Sequence, residues 1–112
     1  MKLKVDFGQP LFEENIALGV TTADLDDFYV KSAELERLSL FFMLEASFHK
    51  HLADGKDELA AHLAFLIAYY VFLPLTPPAS WHLALYYIHE AVRLNPGNAT
   101  YAAWLELIKK GN

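Results

Sequence analysis

The side chains best equipped for metal or acid–base chemistry are five histidines, His49, His51, His62, His82 and His89, together with the carboxylates around them. Their spacing argues against a site. His49 and His51 are two apart, which on a helix sends them to different sides. His89-Glu90 lacks the second histidine that a zinc-protease helix places four residues along. A metal needs three or four convergent donors, so the histidines are expected on the surface or hydrogen-bonded in the core, with no metal and no cofactor. There is no cysteine, which removes thiolate zinc sites, disulfides and cysteine nucleophiles together. The five glycines are scattered, forming no phosphate loop, and no GxSxG nucleophile turn occurs.

Two other sets of residues suit binding better than catalysis. His82, Tyr86, His89 and Arg93 follow at offsets 0, 4, 7 and 11 and so share one helical face, with Tyr and Arg types that anchor interfaces. The second set is acidic. Residues 1–36 carry eight carboxylates against three lysines, so the whole formal charge of −5 lies in this third, and the remainder balances six against six. Such a field repels nucleic acid and steers a basic partner toward Glu13, Glu14, Asp24, Asp26 and Asp27. Asp24, Asp26 and Asp27 also have a structural use, opposing the positive end of a helix dipole.

The elements that must position these residues read as helices. Residues 2–7 alternate polar and apolar like a strand without a second strand, so an extended arm is expected there. Pro10 suits a first helical position, and a short helix over 11–18 stops at Gly19. A long helix follows from a Thr22 cap to Gly55, about 30 residues with an Asp27–Lys31 pair, and no proline marks where so long a helix would bend. From Leu38 to Leu44 every residue but Ser39 is apolar, which predicts a stretch surrounded by other helices. The next helix spans about 57–73 and ends at Pro74. A third starts at a Ser80 cap and faces its core with Trp81, Ala84, Leu85, Ile88, Ala91 and Val92 until Asn95-Pro96-Gly97. The last starts at Asn98, buries Tyr101, Trp104, Leu105 and Ile108, and ends with Lys109 and Lys110 before Gly111. Tyr69 and Tyr70 are expected in the core with hydroxyls at its rim.

The expected fold is therefore all-α, a single domain over 1–112: an arm and short helix over 1–20, then an antiparallel stack of four main helices over 22–110. An apolar fraction of 54% with only 21% charged residues implies a well-packed chain or one with apolar surface to spare. Residues 59–75 are apolar enough to raise a membrane span, but fall short of the ~20 residues a bilayer asks for. No apolar leader follows Lys2 and Lys4, so a cytoplasmic protein is expected.

The segment from Ala84 to Leu105 resembles the second helix of a tetratricopeptide repeat running into the first helix of the next. Ala84, Ile88, Ala91 and Pro96 stand at offsets 0, 4, 7 and 12, as that repeat's small, aromatic, small and proline positions do, and Leu105 falls where the next repeat has its leucine. The likeness covers about a quarter of the chain. Phe72 stands where the family prefers glycine, and a weaker echo at Gly55, Ala60 and Ala64 comes 24 residues earlier, not the family's 34. The resemblance implies a helical hairpin within an adaptor or chaperone-like module that binds another protein and performs no reaction. Within the same class, the acidic third favours an immunity or antitoxin-like protein covering a basic toxin such as a nuclease. A small enzyme using His and carboxylate groups and a membrane-associated protein are the rivals. Expected partners are thus another protein, basic in the second reading, with nucleic acid and membrane excluded and homo-oligomers left open.

Overall fold

The computed structural model describes residues 5, 8 and 11–111. Among the described residues six helices run in order: α1 (Glu14–Ala17), α2 (Thr22–Lys31), α3 (Glu34–Ala53), α4 (Asp57–Phe72), α5 (Ser80–Leu94) and α6 (Ala99–Lys110). The described residues contain no strand, and the fold is all-α, as the periodicity requires. The strand-like alternation over 2–7 falls largely outside the described residues, as does Pro10. Of that arm, Val5 is described, half-buried against the core.

α4 is the centre of the stack. Thirteen of its sixteen residues are buried, because a helix this apolar all round must have neighbours on every side. α3 and α5 flank it most closely. The Tyr70 hydroxyl, near the end of α4, donates to the Arg37 carbonyl near the start of α3 at 2.8 Å, so those helices are antiparallel. The Trp81 Nε1, at the start of α5, donates to the Ile108 carbonyl near the end of α6 at 2.8 Å, which sets a second antiparallel pair. Ala84 and Ala91 are fully buried on the inner face of α5, the small side chains that allow close helix approach. Among the described residues no helix is long and apolar enough to cross a membrane, so 59–75 is a buried central helix and its end.

The N-terminal segment lies along α4 in parallel. Glu14 pairs with Lys56 at 3.2 Å, the Val20 carbonyl accepts from His62 Nε2 at 2.8 Å, and Asp26 accepts from the Tyr69 hydroxyl at 2.8 Å. The sequence offset stays at 42 to 43 throughout, so residues 14–26 advance at the same rate as α4 itself. Further up, the Phe12 amide donates to Ser47 Oγ at 2.9 Å and its carbonyl accepts from His51 Nε2 at 3.0 Å. Ser47 Oγ in turn donates to the Met43 carbonyl at 2.7 Å.

Several boundaries differ from expectation. The long helix over 22–55 is two helices, broken at Ser32 and Ala33, both in extended conformation. Glu36 Oε1 accepts from the Ala33 amide at 2.8 Å, starting α3 afresh, and Arg37 Nε donates to the Tyr29 carbonyl at 2.8 Å, satisfying the end of α2. The cap of α2 is Thr21 in place of Thr22, because Asp24 three residues on completes a reciprocal capping box with it. α1 keeps only four residues of the helix expected over 11–18. α5 begins without a Ser80 cap, since Ala79 at φ 61° precedes it in left-handed conformation. Asn98 does cap α6, accepting from the Tyr101 amide at 3.1 Å.

Candidate functional site

The apolar run 38–44 is where the structure departs most from expectation. Leu40, Met43 and Leu44 are buried, but Phe42 is 62% exposed and Leu38 stands on the surface with it. Leu35, a turn before, is 75% exposed, and Val30 at the end of α2 is 77% exposed. Leu35, Leu38 and Phe42 at offsets 0, 3 and 7 occupy one face of α3. α4 covers only one side of α3, so a helix apolar on both sides leaves one row bare. The run of apolar types was visible in the sequence; its reading as all core was the error, since periodicity alone does not count neighbours.

Leu38 also lines a cleft of about 360 Å³ between the α2–α3 joint and the α4–α5 connection, with Tyr29, Glu34 and Arg37 on one wall and Leu75, Pro77 and Pro78 on the other. The sequence signal for it was the proline cluster, which must hold the connection stiffly open.

The α5 stripe is on the surface as its spacing requires: His82, Tyr86, His89 and Arg93 are all exposed. Arg93 is held by Glu90, with Nε and Nη2 donating to the two carboxylate oxygens at 2.8 and 3.0 Å. That bond holds the Glu90 carboxyl below the usual carboxylate range. Tyr87, on the same helix but facing inward, donates to Glu45 of α3 and packs edge-on against Phe48. Burial, then the Glu45 carboxylate, pushes its phenol well above the ordinary value.

The acidic residues do not converge. Glu14 sits at the start of α4 and Asp26 near its end, about 20 Å apart at 1.5 Å rise per residue. Asp24 is buried in the capping box and faces no partner. Asp27 pairs with Lys31 at 2.8 Å, and Glu13 is exposed at the cap of α1. Four of the five carboxylates thus have an intramolecular role, with Glu14, Asp26 and Asp27 still partly open to solvent.

The histidines are also dispersed. His51 and His62 hold backbone carbonyls, while His49, His82 and His89 are exposed. Among the described residues no three His, Asp or Glu side chains come together as a metal would need. Comparison with protein-family models, with curated proteins and with solved structures finds no match to this chain.

Proposed function

We propose that the protein is a non-enzymatic binding module that docks another protein on the outer face of α3. The observation that carries this is the bare apolar row Leu35, Leu38 and Phe42 on α3. Single exposed apolar residues need no explanation, whereas a contiguous row on one helix face marks an interaction surface. A tetratricopeptide-like adaptor or chaperone-like role is what the sequence resemblance of residues 84–105 implies within this reading. The test is capture of a partner by the native chain set against three variants: Leu35→Ser with Phe42→Ser, His82→Ala with Tyr86→Ala, and Glu14→Gln with Asp27→Asn. Loss only in the first supports docking on the row. Retention in the first, at native stability, rejects it.

A second reading has a specific observation behind it. Glu14, Asp26 and Asp27, though apart from one another and each held by a partner, stay partly open to solvent in the acidic N-terminal third, which favours an immunity or antitoxin-like protein with a basic partner. Loss of capture in the third variant, with an association rate that falls steeply as salt is raised, would select this reading.

A further inference from the structure

The cleft at the α2–α3 joint contains a charge whose orientation is set by its neighbours and whose hydrogen-bonding capacity is only partly used among the described residues. The Arg37 guanidinium lies 4.0 Å from the centre of the Tyr29 ring, and its Nε donates to the Tyr29 carbonyl. Those contacts set the plane of the group and account for one nitrogen. The Nη pair has no hydrogen bond or ion pair to any described residue, Glu34 included, although Glu34 lies three residues earlier on the same cleft wall. A guanidinium edge with two parallel N–H groups matches a carboxylate in bidentate fashion.

The rest of the wall specifies what the carboxylate must be attached to. Leu38, Leu75 and the Pro77-Pro78 pair are apolar, so a ligand within reach of Arg37 must carry an apolar body a few bonds from its charge. The volume of about 360 Å³ stands at the small end of ligand pockets. Glu34 brings the formal charge of the cleft to zero, which penalises phosphates and dicarboxylates more than a single negative charge. The backbone of the far wall is also unusual, with Thr76 at φ 42° and Ala79 at φ 61° on either side of the two prolines. Non-glycine residues in that region are strained and recur at ligand clamps.

We propose that this cleft binds a monocarboxylate borne on a compact apolar body, an aryl or branched-alkyl acid, with Arg37 gripping the carboxylate and the Leu38, Leu75 and proline surfaces packing the remainder. The proposal does not depend on the protein-docking reading, since the cleft is a small-molecule site and its probe is a small molecule.

The test is a titration of nitrogen-15-labelled protein with 3-phenylpropanoate and, separately, with 3-phenylpropanamide, which has the same shape without the charge. Saturable backbone amide shifts are expected over residues 29–38 and at Leu75, Thr76 and Ala79, with 3-phenylpropanamide binding about tenfold or more weakly. Glu34→Gln should bind the acid several-fold more tightly, and Arg37→Gln about tenfold or more weakly. Because Arg37 also ties α2 to α3, its variant is interpreted only alongside its thermal unfolding, and the acid–amide comparison on the native chain stands without it. Equal binding of acid and amide would leave an apolar cleft with no anion role and overturn the proposal. Shifts confined to other residues, or none that saturate by about 10 mM, would reduce Arg37 to a structural clamp and overturn it equally.

Discussion

The two ends of the molecule are held by different forces. α3 to α6 cohere mainly through apolar and aromatic contact, with the Tyr70, Trp81 and Tyr87 hydrogen bonds added to it: α4 is buried along its length, and Phe65 and Tyr69 meet Tyr101 and Trp104 of α6 with ring centres 5.2 to 6.2 Å apart. Residues 12–26 bring Phe12, Ala17, Val20 and Leu25 to the same core, but their position is set by polar ties, Ser47 and His51 to Phe12, His62 to Val20, Tyr69 to Asp26. Apolar burial is non-directional and tolerates sliding. Hydrogen bonds fix a register and can be removed one at a time.

The largest expected effect is in the apolar half. Leu66→Ala, at a fully buried position of α4, should lower the unfolding free energy by about 2–5 kcal/mol, read by urea denaturation, because a cavity at the centre touches every layer. A loss below about 1 kcal/mol would mean that α4 is not the hub.

Next comes the tie at Phe12. Ser47→Ala with His51→Ala leaves that residue's buried amide and carbonyl unpaired and should cost about 1–3 kcal/mol. Hydrogen exchange should accelerate in α1 and α2 far more than in α4 and α5. Equal acceleration everywhere would show one cooperative unit and dissolve the contrast between the two ends.

Tyr69→Phe should cost less, about 1 kcal/mol at neutral pH, with a pH signature. Burial first, and then the Asp26 carboxylate, push the Tyr69 phenol up to about 12 from an ordinary 10. The folded state therefore holds this proton more tightly than the unfolded chain does. The corresponding stability is complete below pH 10 and lost as pH rises from 10 through about 12. Burial raises Tyr70, Tyr87 and Tyr101 as well. Absorbance titration at alkaline pH should show these four phenols ionising late, with unfolding, and Tyr69→Phe should remove part of the alkaline loss. If all tyrosines ionise together near 10 with the chain still folded, the buried assignment of these four fails. The smallest effect belongs to Glu14→Gln. Its pair with Lys56 is exposed at both ends, so a change under about 1 kcal/mol is expected by thermal melting.

These contrasts follow the line between what the sequence disclosed and what it did not. Pro74, Pro96 and Asn98 act locally, and the ends of α4 and α5 and the start of α6 fall where they predict. The break at Ser32-Ala33 has no proline or glycine. Its only mark is Glu34 and Glu36 in mid-pattern, acidic residues at what becomes a new first turn. The bare face of α3 was hidden because Leu35, Leu38 and Phe42 have core types, and only the number of packed neighbours separates them from Leu40 and Leu44. Of the residues singled out for binding, the α5 stripe was legible from spacing, as it depends on one helix alone. The scatter of the acidic set was not, since it depends on where residues 14–26 lie along α4. Arg37 and Tyr29 were missed altogether: their stacking requires the bend between α2 and α3.

The constant offset between residues 14–26 and α4 has a consequence during synthesis. A ribosome that adds about 5–20 residues per second makes Asp26 several seconds before Tyr69, 43 positions later. Until then the α4 surface beside residues 20–26 is incomplete, and only Ser47 and His51 of α3, made earlier, are present to hold Phe12. The part of the chain made early thus cannot complete its contacts until α4 is made, and that interval is when a chaperone or a binding partner has the freest access to it.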